Sequence, residues 1–234
     1  MSLFVVDKRE PTNESDGFNG PQLPSLFIYL LNLLSKFIIA QFINECSAKP
    51  ETADPIGVVA AQIFSHKEFQ WRGKPLVDIL LAKFRVVCPA LFGFRGNEKT
   101  QAGRLALGWR PGTDQNTHSN RMRGLGAGYA SVALRDFSKA NKSNPFPPSN
   151  YWKAMAFIVN TNPQDVSDTQ YTVLKAMIDG HEQRFIHFYG NAAIAALRMA
   201  VVEFPKKAPA QTPPVAALAV LGELMKKDRG LNLY

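Results

Sequence analysis

The residues of this 234-residue chain whose types most often do chemistry are four histidines, two cysteines and a set of closely spaced glycines. His181 and His187 are six positions apart, so on a helix they turn to different faces and miss the i, i+4 spacing of a zinc pair. His66 and His118 stand alone, and each histidine reads as a surface or hydrogen-bonded core residue. Cys46 and Cys88 form no CxxC pair, and two reduced thiols in the cytosol or nucleus are the simplest account of them. Gly124, Gly126 and Gly128 have the look of a phosphate loop, but a dinucleotide loop follows a strand and residues 116–123 do not read as one. Gly124, Ala127, Gly128, Ala130 and Ser131 instead give a helix a small surface for close packing. The sequence carries no GxSxG elbow, HExxH or Walker A motif. The chain reads as a non-enzyme with no metal site.

The basic residues point to a partner. The formal charge is +8 and the pI about 9.5, which favours a polyanion, an acidic protein or a membrane surface. Lys83 and Arg85 are followed by Arg95, Lys99, Arg104 and Arg110, then by Arg121, Arg123, Arg135, Lys139 and Lys142. Clustered around one loop, these would form a pocket for a multiply charged anion, because charge-assisted hydrogen bonds to phosphate are strong. A basic helical RNA-binding domain is the alternative. It would show affinity that falls steeply with salt. Trp71, Trp109 and Trp152 are not spaced as a base-stacking platform.

These residues need elements to hold them. Composition is that of a folded protein, 46% hydrophobic and 20% charged. Residues 1–22 are polar and aperiodic and read as a mobile lead-in, with one domain over 23–234. They lack the basic-then-apolar pattern of a signal peptide. A first helix is expected over Leu23–Cys46. Its length approaches a membrane span, but Asn32, Ser35, Lys36 and Gln41 interrupt it. Ser25, Asn32, Ser35 and Lys36 project as a narrow polar stripe, which predicts a largely buried helix and no membrane insertion. Asp54-Pro55 opens a second helix running to His66, with Asp54 as N-cap. Further helices are expected over Pro75–Val87, Ser119–Lys139, Asn150–Val159, Asn162–Tyr189, Asn191–Phe204 and from Thr212-Pro213 to the basic Lys226, Lys227 and Arg229. Ser167 and Gln170 offer a capping-box start for the sixth, and Gly180 a kink within it. The seventh is apolar nearly all round, so a place deep in the core is expected. Residues 88–118 read as mostly irregular. The fold class is all-α, a HEAT-like stack of antiparallel helix pairs.

Leu81-Ala82-Lys83, Cys88-Pro89, Gly103-Arg104, Gly108-Trp109-Arg110, Arg121-Met122, Asn144-Pro145-Phe146-Pro147 and Tyr189-Gly190-Asn191 form an ordered set of short motifs. The set resembles the C-terminal domain of the Gle-one family of mRNA export factors. Leu81-Ala82-Lys83 before Cys88-Pro89 resembles its helix end and Cys-Pro. Gly103-Arg104 with Gly108-Trp109-Arg110 resembles its Gly-Arg and Gly-Trp-Lys segment. Arg121-Met122 with Gly124, then Asn144-Pro145-Phe146-Pro147 before Trp152, then Tyr189-Gly190-Asn191, follow in the family's order over about residues 24–230. The resemblance implies a fold similar to the middle domain of initiation factor four-G. It implies work at the cytoplasmic face of the nuclear pore complex and in the cytoplasm. There the domain would bind and stimulate a DEAD-box RNA helicase of mRNA export and dock the C-terminal segment of an FG nucleoporin. It also implies inositol hexakisphosphate as a bridging ligand, with Lys36 and Lys83 at matching basic positions and Arg85 as a neighbouring substitute. The family's two lysines before Cys-Pro are Val86 and Val87 here, and its pocket histidine is Ala40. The family's upstream coiled coil has no counterpart in this sequence.

Overall fold

The computed structural model describes residues 4–6, 20–140 and 142–233. The helices in order are α1 (Ser25–Asn44), α2 (Ala53–Ser65), α3 (Asp78–Val87), α4 (Gln101–Ala106), α5 (Gln115–Ala133) and α6 (Ser149–Val159). They continue with α7 (Asp168–Ile178), α8 (Glu182–Tyr189), α9 (Asn191–Arg198), α10 (Phe204–Lys206) and α11 (Pro213–Arg229). Two short antiparallel ribbons complete the described chain, β1 (Phe4–Val6) on β2 (Gln22–Pro24) and β3 (Gln70–Trp71) on β4 (Lys74–Pro75). The all-α expectation holds. The helices stack in the order α3, α1, α5, α7, α11, each packed on the next, and α2 also lies on α5.

Small residues put α5 at the centre. A Cβ on Gly124 would overlap the Phe42 carbonyl oxygen of α1, and one on Gly128 would overlap the Phe42 ring. On another side, a Cβ on Gly126 would lie 2.8 Å from the Val173 carbonyl oxygen of α7. Ser131 fills the space beside Gly57 of α2. From Gly124 to Ala133 every residue of α5 is buried. Gly124 and Gly128 therefore serve close helix packing, as the sequence suggested, and Gly126 does the same toward α7. Around this helix, Phe42, Phe84, Tyr129 and Phe146 pack ring on ring, an arrangement that aromatic quadrupoles favour.

Several elements differ from the sequence reading. Of the expected lead-in, Phe4–Val6 pairs with Gln22–Pro24, and residues 1–3 and 7–19 lie outside the described residues. Helix α1 is not largely buried, and its polar residues do not mark its outer face. Ser35 is fully buried, whereas Leu26 and Phe37 are 67% and 66% exposed. Periodicity shows that two faces differ but not which one meets the protein. By length and mean hydropathy of 1.9, α1 is the one helix among the described residues apolar enough to cross a membrane. Here its Leu31, Ile38, Ile39 and Phe42 pack into the core.

The stretch expected as irregular contains a 3-10 turn, Pro89–Phe92, and α4. Helix α5 begins earlier than expected because the Asp114 side chain accepts the Thr117 N–H at 2.9 Å, a cap that satisfies an orphan donor. It ends where Asn144 donates to the carbonyls of Ala133 and Arg135 at 3.1 and 3.0 Å. The expected sixth helix is two, α7 and α8, separated at Gly180, whose φ is +81°. That left-handed value favours glycine and ends the helical run. The Ser167–Gln170 capping box starts α7 as the sequence allowed. The seventh helix becomes α9, a π-helical turn over Met199–Glu203, and α10. Ala192, Ala195, Arg198 and Met199 of that segment are exposed, so it covers the core on one side only.

Candidate functional site

The long connection between α3 and α5 is held by one carboxylate. Glu98 reaches the N-terminus of α7, where its two oxygens accept the N–H groups of Asp168 and Thr169 at 3.1 and 3.2 Å. The Thr169 hydroxyl donates to the same carboxylate, and the Trp109 indole N–H lies 3.4 Å from it. An anion at a helix N-terminus is favoured by the unpaired N–H groups and the helix dipole. The Thr169 hydroxyl donates its hydrogen to Glu98, so its oxygen is left to accept from His118 Nε2 at 2.8 Å. His118 therefore carries its proton on Nε2, and burial, then the charges of Arg121 and Arg104, lowers its pKa to about 3. Its ring stacks on Trp109 at 4.0 Å, and Arg104 covers the other part of the motif at 4.9 Å from the indole. The Gly-Trp-Arg segment is thus pinned on a neutral histidine.

A second network joins α2 to α8. Asp54 was expected as the N-cap of α2, but Thr52 occupies that position. Asp54 instead accepts from Arg135 at 2.8 Å and from Arg184 at 2.5 Å. Burial opposes its charge, yet the Arg184 hydrogen bond and the charges of Arg184, Arg135 and His181 outweigh it and hold the carboxyl below its ordinary range. Buried Glu182 pairs with Arg229, and Asp179 pairs with Lys175 at 2.7 Å. These contacts tie α2, α5, α8 and α11 together.

The eleven basic residues expected around one loop are divided between different tasks. Arg121 is buried and donates to the Gly108 carbonyl at 3.3 Å. Arg135 is held by Asp54, and Arg104 donates to the Glu98 carbonyl at 2.7 Å. A cavity of about 730 Å³ lies beside Glu98, lined by Arg95, Lys99 and Arg104 but also by Glu98, Asp165 and Asp168. Its mixed charge does not select a polyanion. The single anion pocket expected from composition is not formed there.

The residues implied by the family pocket lie on two touching helices, α1 and α3. Lys36 is exposed on α1 and Lys83 half-buried on α3. Val86, 73% exposed, and Val87 follow Lys83 at i+3 and i+4, so the three share a face. Arg85 is turned away from that face by its i+2 spacing, and its guanidinium lies 5.0 Å over the Phe94 ring. Among the described residues no group of three His, Cys, Asp or Glu side chains is placed to hold a metal. Cys46 and Cys88 are unpaired and buried. Burial pushes the Cys88 thiol up to about 12, against a Leu91 backbone hydrogen bond and the Arg121 charge, so it is an inert core residue.

What the sequence did not reveal is Glu98, and the partners of Asp54. The capping box at Ser167 signals where α7 starts, but no local pattern signals a carboxylate arriving from seventy residues away.

Relatives agree with this architecture. The chain is 53% identical over 234 residues to mRNA export factor GLE1 of Chaetomium thermophilum, covering 98% of this chain and 44% of that protein. It is 25% identical over 201 residues to mRNA export factor GLE1 of Saccharomyces cerevisiae, covering 82% of this chain and 36% of that protein. The chain thus spans less than half the length of either relative. Among solved structures, a complex of a variant S. cerevisiae Dbp5 C-terminal domain with Gle1 and IP6 matches with a TM-score of 0.73 at 25% identity, over 87% of this chain and 70% of that one. A second complex of the same kind, with a Gle1 variant, matches with a TM-score of 0.75 over the same shares. The family model for GLE1-like protein matches residues 3–201. With the ordered motifs, the helical stack and this match in agreement, the chain belongs to the GLE1-like protein family.

Proposed function

We propose that this chain is the helicase-engaging part of an mRNA export factor. It binds the C-terminal lobe of a DEAD-box RNA helicase and stimulates its ATPase cycle without any catalytic group of its own. The observation that carries this reading is the match, over 87% of the chain, to Gle1 in complex with the Dbp5 C-terminal domain and IP6. An activator of this kind works by binding one arrangement of its partner more tightly than another, which shifts the population. A rigid stack with wide faces suits that task. It acts at the cytoplasmic side of the nuclear pore complex and in the cytoplasm. An FG nucleoporin is a further partner on this reading, without an assigned site.

Inositol hexakisphosphate fits the α1–α3 face through Lys36 and Lys83. Arg85 joins only by leaving Phe94. With Val86, Val87 and Ala40 in place of basic groups, fewer charge-assisted bonds are available, and a weaker phosphate contribution follows. The test is steady-state ATPase of the cognate export helicase with and without the chain. The expected result is stimulation by the chain, and no hydrolysis by the chain alone. Unchanged helicase activity together with salt-sensitive RNA binding by the chain would favour the RNA-binding alternative.

A further inference from the structure

We propose that the aromatic groove between the 89–94 turn and α6 is a docking site for a short acidic peptide anchored by one apolar side chain. The groove encloses about 370 Å³, within the range of pockets that take a small group. Its floor is closely packed, with Leu91, Tyr129 and Phe146 buried and Phe92 half-buried. Tyr129 meets Phe92 and Phe146 edge-on at 6.1 and 5.3 Å, and Leu91 lies beneath. Its walls are Phe94 and Phe157, 41% and 37% exposed. Gly93, at φ +82°, brings the turn so close to α6 that a Cβ there would stand 3.2 Å from the Phe157 ring. The Phe157 wall is therefore held in place before any partner arrives, which lowers the cost of binding.

The rim sets the charge of the partner. Arg85 lies over Phe94 and Lys153 lies 5.7 Å over Phe157. The lining contains no Asp or Glu. Both cations already rest on aromatic faces, and a carboxylate at the rim would add charge-assisted bonds without disturbing them. Single-stranded nucleic acid fits less well. Bases stack on open ring faces, and here the exposed rings carry cations while the floor rings are packed edge-on against one another. A clustered aromatic pocket with an Arg at its edge is instead the composition of a protein-binding hot spot. This inference does not depend on the helicase reading.

The test is selection from a random peptide display library on the whole chain, followed by fluorescence anisotropy with the enriched peptide made synthetically. The expected peptides carry an aromatic or leucine residue flanked by Asp or Glu. Arg85→Glu and Lys153→Glu should each weaken binding about tenfold, and Phe157→Ser should do so without a charge change. Arg85 and Lys153 are exposed, so their variants should melt at the wild-type temperature, and Phe157→Ser is compared at a temperature where it is fully folded. Enriched peptides without acidic residues, affinity indifferent to these substitutions, or failure to enrich any peptide would overturn the proposal. So would a uridine-rich oligonucleotide that displaces the peptide and depends on the same residues, which would assign the groove to RNA.

Discussion

At the scale of single residues, small size and missing charge decide more than reactive groups do. Alanine in place of an exposed helical glycine normally stabilises by about 1 kcal/mol through helix propensity. Gly124→Ala should do the reverse, because the added methyl meets the Phe42 backbone. We expect a loss of about 1–3 kcal/mol, read as a lower denaturant midpoint at unchanged slope; a stabilised variant would contradict the packing described. His118 makes a second, pH-dependent prediction. Its pKa is lowered from 6.5 to about 3 in the fold, so in that window the unfolded chain binds a proton that the folded chain does not. Stability should therefore fall as pH drops from 6.5, with His118 contributing up to about 1.4 kcal/mol per pH unit. His118→Asn keeps a donor for Thr169 but removes the titrating ring. Its stability should decline less steeply between pH 6 and 4, and curves parallel to wild type would contradict the neutral buried histidine. Asp54 has the opposite linkage. Its carboxyl is depressed below its ordinary 3.8, so its pairing with Arg135 and Arg184 stabilises above that pH and is lost as pH falls through the lowered value. The stability gap between wild type and Asp54→Asn should close in acid.

At the scale of elements, the connection between α3 and α5 is ordered by reach rather than by local propensity. Glu98 takes the place of water at the α7 N-terminus and also holds Thr169 and Trp109. Removing a charged hydrogen-bond partner from such a site costs about 1–3 kcal/mol. Glu98→Ala should therefore raise amide exchange across residues 94–113 and at the start of α7, while leaving α1 and α2 protected. Uniform protection would mean that the segment is held by other contacts. The elements that were legible in the sequence are those with local signals. Ser167 and Gln170 marked the start of α7, and Gly124 with Gly128 marked a closely packed face of α5. The misread elements share a physical cause. Asp54-Pro55 has the chemistry of a helix start, but Asp54 is claimed by Arg184 from 130 residues away. The apolar run over 191–204 is half exposed because its neighbours cover one side. The outer face of α1 was misassigned because amphipathicity does not state which face has a partner.

At the scale of the whole molecule, α5 is the spine against which α1, α2 and α7 close, and ion pairs of Asp54 and Glu182 tie α8 to α2 and to α11. Such a stack offers broad, stiff surfaces and no catalytic constellation among the described residues. The family was legible from motifs whose structural roles are now visible. Trp109 stacks on His118, Gly124 admits α1, and Asn144 ends α5. The division of the basic residues was not legible, because charge count says nothing about which guanidinium is already bound. Lys36 and Lys83 lie on adjoining helices, with two valines beside Lys83. The measurement that bears most directly on the helicase-adaptor account is the affinity of this chain for the C-terminal domain of its cognate export helicase, by calorimetry with and without inositol hexakisphosphate. The account predicts binding in both conditions, tightened by the phosphate and with that tightening abolished by Lys36→Glu or Lys83→Glu. Absence of binding in both conditions would contradict it.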